Sequence, residues 1–343
     1  MQFDLMVGAT TWERTARLAR DVEGAGFSGM LFTETTQTPW MSIAAAATAA
    51  STLEFMTGIA VAFPRSPMIA ASLAWELAEN TGGRYRLGLG SQVKAHVERR
   101  YGSEFDPPGP RMRDYVQAVQ ACFRAFSGDE PLAHDGPYFQ LSLLPATWAP
   151  RRHEYRDIKI DVSAVGPWMC RMAGEIADGI HVHPLHSVPY LRNRLLPAVE
   201  EGAQRAGRSR DEVSLIVPVF AVPGDTAEER AALLERTRFQ IAFYGSTKNY
   251  AFQFDDLGFD GTSARLNERL KAGDFAGMAA LITDQMLEHY AVIASWDDLA
   301  GALLSRYQGV AARVVMYLAE ESIASDPMAL GRWGEVARAV TAA

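Results

Sequence analysis

One carboxylate, three histidines and two small-residue turns are the features of this chain best suited to chemistry. Glu34 closes a short apolar run, with Trp12, Trp40 and Phe63 at neighbouring loop ends. A carboxylate in such a mouth can hold a polar group or relay a proton, whereas on an ordinary loop it would only be solvated. His181 and His183 are two apart, so they share one face of a strand, and His186 lies on the loop beyond. No thiolate or carboxylate set accompanies them, so the pattern predicts a polar pocket lining and no metal. A strand ending in Gly88-Leu89-Gly90-Ser91 runs directly into a segment carrying Lys94. Glycines there let another group approach the backbone. The amides of the loop and helix start can then hold an anion, and Lys94 adds a point charge. Ala164-Val165-Gly166-Pro167 is a second turn of this kind, although alone it reads as a plain strand-to-helix turn with proline at the helix start. There is no Gly-x-Ser-x-Gly and no His-Glu-x-x-His, so a standard serine hydrolase or zinc protease has no support.

Alternating elements must position these groups. Strand patterns fall at Gln2 to Val7, Gly29 to Thr33, Leu53 to Ala62, Tyr85 to Leu89, Ile158 to Ser163, Gly179 to His183, Glu212 to Val222 and Ala312 to Leu318. Helical patterns separate them, among them Trp12 to Glu23, Ser42 to Ala50, Pro67 to Glu79, Met112 to Phe126 and Thr226 to Tyr244, the last with Asp225 as expected N-cap. Pro327 to Val340 reads as the closing helix. Eight β/α units predict a (β/α)8 TIM barrel as one domain over residues 1–343, with insertions near 128–150 and 245–290. The rival is a doubly wound open sheet. Its dinucleotide-binding version lacks the Gly-x-Gly-x-x-Gly turn after the first strand. In a barrel, chemistry sits where strands end and loops begin, which is where Glu34, Ser91, Gly166 and His183 fall.

Composition narrows the class. The 343 residues are 48% hydrophobic and 22% charged, an ordinary globular balance. A net charge of −8 argues against non-specific nucleic-acid binding. No apolar run reaches spanning length, and no basic start leads into an apolar core, so a cytoplasmic protein without membrane contact is expected. The two cysteines do not suggest a disulfide framework.

The same segments resemble the bacterial luciferase-like superfamily of flavin and deazaflavin oxidoreductases. The resemblance rests on Ala25-Gly26-Phe27, Thr57 to Pro67, Gly82 to Ser91, Ala164 to Pro167 and Ala173 to Gly179. Gly90 to Gly102 and Asp178 to Pro184 are closer still to an actinobacterial branch assigned to the deazaflavin coenzyme F420. The resemblance implies a cofactor at the C-terminal ends of the strands. Its phosphate would lie by Gly90, Ser91 and Lys94 and by Val165, Gly166 and Pro167. A non-prolyl cis peptide in a bulge of the third strand, matching Gly58-Ile59, would back the ring, and Glu34 matches an acid near it. Two departures matter: Thr35 and Ser91 stand where the family's sugar-phosphate dehydrogenases carry His and Glu. That substrate and acid/base pair are therefore not carried over.

The expected function is hydride transfer between F420 and a small apolar or aromatic substrate. Glu34, His183 or solvent would supply the proton, under Trp12, Trp40 and Phe63. An FMN-dependent monooxygenase and a non-catalytic flavin-binding protein are the alternatives. By resemblance, and from the small residues of Ser42 to Ala50, the chain is expected to form a homodimer.

Overall fold

The computed structural model describes all residues from Met1 to Ala343. The strands are β1 (Gln2–Val7), β2 (Gly29–Phe32), β3 (Glu54–Thr57), β4 (Ala60–Val61), β5 (Tyr85–Gly90), β6 (His134–Asp135), β7 (Gln140–Leu141), β8 (Lys159–Ser163), β9 (Gly179–His181), β10 (Ser214–Pro223), β11 (Ala291–Ala294) and β12 (Arg313–Met316). All pairings except the small β6–β7 hairpin are parallel. β1 pairs with both β2 and β12, and β10 pairs with both β9 and β12, so the sheet closes on itself. With β3 and β4 filling one position and β11 outside the ring, this is an eight-stranded (β/α)8 barrel. The strands are buried almost throughout, because helices cover them outside and side chains fill them inside.

Alternation along the strands stacks the interior in layers. The lower layer is charged. Arg313 donates to Asp4 at 2.7 and 2.8 Å and pairs with Glu54, while Arg86 donates to Asp161 at 2.9 and 2.6 Å. Two residues further along, Met6, Leu31, Met56, Ile216 and Val315 form a small apolar cluster. Two residues beyond those come Gly8, Thr33, Gly58, Pro218 and Tyr317. That upper layer is the floor of the site.

The third strand is broken by a bulge at Gly58-Ile59, whose peptide is cis, at the place the family resemblance implied. Other boundaries differ from the sequence reading. The helix Ala227–Gly245 is capped by Thr226, which accepts from the Glu229 amide; Asp225 instead accepts from the Trp296 amide. The closing segment is two helices, Ala319–Ser325 and Ala329–Ala342. The first insertion holds the β6–β7 hairpin. The second is helical, with helices at Phe252–Asp255, Thr262–Lys271, Phe275–Ala280 and Asp284–Tyr290 around a small core of Phe254, Leu266, Met278 and Tyr290. Cys122 and Cys170 are buried and free. No helix is long and apolar enough to cross a membrane.

Candidate active site

A cavity of about 860 Å³ opens at the C-terminal ends of the barrel strands. One wall mixes glycines with short polar and aliphatic residues: Gly58 and Ile59 from the bulge, Ser91 and Gln92 after β5, and Val165 and Gly166 after β8. The opposite wall carries His183, Tyr244, Tyr250, Phe252 and Tyr317.

In and behind the first wall, close packing requires glycine. A Cβ on Gly88 would come within 1.9 Å of the Thr57 carbonyl oxygen and 2.3 Å of His181 Nε2. One on Gly58 would strike Leu31, and one on Gly90 would strike Ile59 and Ser163. Gly166 differs, since no atom lies within 4 Å of where its Cβ would be. It is the N-cap of the helix Pro167–Ile176, which has no side-chain cap. The first amides of that helix therefore lack intrahelical partners and lie beside open space.

Glu34 lines the cavity but is firmly engaged. Its Oε2 accepts from the Val61 amide at 2.7 Å and from Arg65 Nη1 at 3.0 Å, while Arg65 Nη2 donates to Oε1. Arg65 also donates to the Val61 carbonyl at 2.8 Å and lies 4.7 Å over the Trp40 ring. The expected aromatic surround of Glu34 is thus replaced by an ion pair that ties it to the segment just after the bulge. Trp40 does not line the cavity: its Nε1 donates to the Tyr85 hydroxyl in the core at 3.2 Å. Phe63 is buried against Phe105, and Trp12 is exposed on the first helix. None of these three aromatics belongs to the pocket wall, because each ring has better packing, or open solvent, on another side.

Lys94 stands at the rim, paired with Asp106 and 3.6 Å from Glu98. Those carboxylates hold its ammonium above the usual lysine range, the Asp106 hydrogen bond being the larger cause. Gly90 and Pro167 are not in the wall itself; they shape the turns that Ser91 and Gly166 present.

The histidines separate. His186 is buried away from the cavity, bonded to the His183 carbonyl at 3.0 Å and the Tyr307 hydroxyl at 3.2 Å. His181 lies at the floor, with Nε2 unpartnered and 3.9 Å from Asp161 Oδ2. His183 packs between Tyr244 at 4.8 Å and Tyr250 at 4.4 Å between ring centroids. Burial pushes its imidazole down to about 3, with His186 adding to the effect. Its Nδ1 accepts from the Leu185 amide at 3.1 Å, so the neutral ring carries its proton on Nε2. No group of three or more His, Cys, Asp or Glu side chains is placed to hold a metal.

Sequence reading missed Arg65 as the partner of Glu34, and it missed Tyr244, Tyr250 and Tyr317. Tyr317 had a signal, since Arg313, Val315 and Tyr317 are successive inward positions. Tyr244 and Tyr250 had none, because they come from a helix end and an insertion with no barrel period.

The luciferase-like monooxygenase family matches residues 1–313, and the chain belongs to that family. It is similar to an uncharacterized protein of Mycobacterium tuberculosis, 36% identical over 88% of this chain and 89% of the relative. It is 28% identical to a 5,10-methylenetetrahydromethanopterin reductase of Methanopyrus kandleri, over 74% of this chain and 73% of the relative. The solved coenzyme F420-dependent tetrahydromethanopterin reductase of M. kandleri superposes with a TM-score of 0.79 at 22% identity, covering 97% of each chain. A Pseudomonas putida Baeyer–Villiger monooxygenase in complex with FMN gives 0.69 at 17% identity, covering 99% of this chain and 98% of that one. An F420-dependent enzyme and a monooxygenase solved with FMN thus share this fold.

Proposed function

We propose that this chain, acting as one domain, is a coenzyme F420-dependent oxidoreductase that passes a hydride between the deazaflavin and a small apolar or aromatic substrate. The observation that carries this reading is the division of the cavity into a glycine-containing wall and an aromatic wall. A flat cofactor ring fits against the bulge at Gly58 and Ile59, where Gly58 has no side chain and Ile59 offers an apolar one. Its phosphate fits beside Gly166, in the space a Cβ would otherwise enter and next to uncapped helix amides. Ser91 and Lys94 border the same space from the β5 side. Bound there, the deazaflavin supplies the carbon that gives or takes the hydride.

The chain's own residues do the rest. Glu34, through Val61 and Arg65, holds the backbone that backs the ring. His183 holds a proton at Nε2 within the aromatic wall, its ring beside those of Tyr244 and Tyr250. The tyrosines and Phe252 shed water from the substrate side. Among the catalytic candidates, Glu34 is proposed to act from the ring side and His183 from the substrate side. F420 carries a phosphodiester and a glutamyl tail, so it is more anionic than FMN. That favours it at a rim that includes Lys94, although Asp106 and Glu98 share that charge. Lys94→Glu should weaken F420 binding about threefold and flatten its salt dependence. Unchanged affinity would remove Lys94 from the site.

The test is a fluorescence titration of the purified protein with F420 and with FMN, followed by two activity assays. F420 should bind more tightly, and reduced F420 should be oxidised anaerobically by an added acceptor. Tighter FMN binding, with oxygen consumption on reduced FMN, would replace this reading by the monooxygenase one. Assembly as a homodimer is part of the proposal. The helix Pro39–Ala47 turns Trp40, Ile43 and Ala46 to the barrel and leaves Met41 exposed on its outer face. A monomeric mass in sedimentation at micromolar concentration would reject it.

A further inference from the structure

The aromatic wall holds two phenols in direct contact. The hydroxyls of Tyr244 and Tyr317 are hydrogen-bonded to each other, and both side chains line the cavity. Each hydroxyl has one proton to give. Whichever donates within the pair, the other keeps a free O–H, and no other protein group bonds to either hydroxyl. A phenol that donates to a second phenol also becomes a better acceptor, and the accepting one a better donor, because hydrogen bonds in a row polarise one another. Beside the pair lies His183, whose proton is on Nε2 because Nδ1 is taken by the Leu185 amide. The neighbouring carboxylates are already committed. Glu320 accepts from the Gly8 amide at 3.0 Å, and Glu321 pairs with Arg236 at 2.6 Å. This corner of the site therefore offers neutral hydrogen-bond donors between aromatic faces and no unpaired cation.

From this arrangement we propose that Tyr244 and Tyr317, seconded by His183, recognise the oxygen of a neutral, planar carbonyl compound such as an enone or cyclic ketone. The donors would meet the oxygen lone pairs, and the rings of His183 and Tyr250 would cover the apolar skeleton. An anionic substrate is disfavoured, since no cation faces the corner. Burial also keeps both phenols protonated, raising Tyr244 and Tyr317 above the usual tyrosine range. The inference deepens the reading of the site as an oxidoreductase site and concerns only the substrate half.

The probe is cyclohexenone, added to the full chain with and without oxidised F420, with benzoate as the anionic comparison. Binding is followed by calorimetry, and the bound carbonyl by its infrared stretch. Wild type should bind cyclohexenone more tightly than benzoate and shift the carbonyl stretch to lower frequency. Tyr317→Phe and Tyr244→Phe keep the rings and remove one hydroxyl each. Loss of the hydroxyl that keeps the free O–H should weaken cyclohexenone binding about five- to tenfold and reduce the shift, as loss of one hydrogen bond does, and loss of the other should weaken it less. Affinity and stretch unchanged in both variants, or no binding to wild type, would overturn the proposal. Failure to bind F420 while the carbonyl shift persists would overturn the cofactor reading and leave this one standing.

Discussion

Glu34 carries three bonds at once, from the Val61 amide and from both terminal nitrogens of Arg65. Its side chain is 3% exposed and that of Arg65 is 17% exposed. Removing one partner of so covered a pair leaves the other without compensation. Glu34→Gln keeps the shape and one acceptor oxygen but loses the charge, and should cost about 2 kcal/mol of stability, as hydrogen bonds to charged groups do. Urea unfolding measures this directly. Arg65→Lys keeps the charge but cannot bond to both carboxylate oxygens in the same fork. The two variants together separate clamp from chemistry. If Glu34 only holds the bulge, both should lower F420 affinity and single-turnover rate in parallel. If the carboxylate also serves the reaction, Glu34→Gln should lose much more rate than Arg65→Lys at comparable stability.

At the scale of elements, the bulge depends on β5 as well. Thr57 Oγ1 donates to the Gly88 carbonyl at 2.7 Å, and the Gly88 amide donates back to Thr57 Oγ1 at 2.8 Å. Gly88→Ala would drive a methyl into the Thr57 carbonyl and His181 in a place where neither can retreat. Overpacking of this kind costs about 3 kcal/mol, and a fall in thermal midpoint with blunted F420 binding is the expected result. A wild-type midpoint would show that β5 can slide. Gly88 and Gly90 were legible in the sequence through their neighbourhood, a strand that runs directly into the Ser91 to Lys94 segment, since Gly-x-Gly alone occurs in many tight turns. The eight strands were legible because buried parallel strands are continuous apolar runs. The split of the third strand was legible only through the family resemblance, because the residue pattern alone reads Leu53 to Ala62 as one strand. Trp40 and Phe63 misled because an apolar residue at a loop end fits a core and a mouth equally well. Only the Tyr85 hydroxyl and the Phe105 ring decide between them. β11 escaped because it pairs only with the far end of β10, outside the barrel count.

On the scale of the whole molecule, three histidines within six residues tie the site's loop to the stability of the fold. His181 and His186 are buried and His183 is partly buried at the cavity wall, and desolvation lowers the three to about 4, 4 and 3 respectively. In the unfolded chain each titrates near 6.5. Between those values the unfolded state binds protons that the folded state refuses. Stability therefore rises with pH through this window and falls as the solution is acidified from about 6.5 toward 4. Each group contributes about 1.4 kcal/mol per pH unit there, so three together remove roughly 4–6 kcal/mol between pH 6.5 and 5. That is comparable to the whole stability of many domains, roughly 5–15 kcal/mol. Asp178 works the other way, since burial raises its carboxyl, but its gain lies at the acid end of the window. The expected outcome is a urea midpoint that drops steeply from pH 7 to 5, with unfolding in buffer near pH 4.5. His181→Gln removes one of the three groups without touching the His183–Leu185 bond, and should flatten the slope by about one third. A midpoint that holds steady from pH 7 to 5 would mean that water reaches these imidazoles, and that the wall around His183 is open rather than closed.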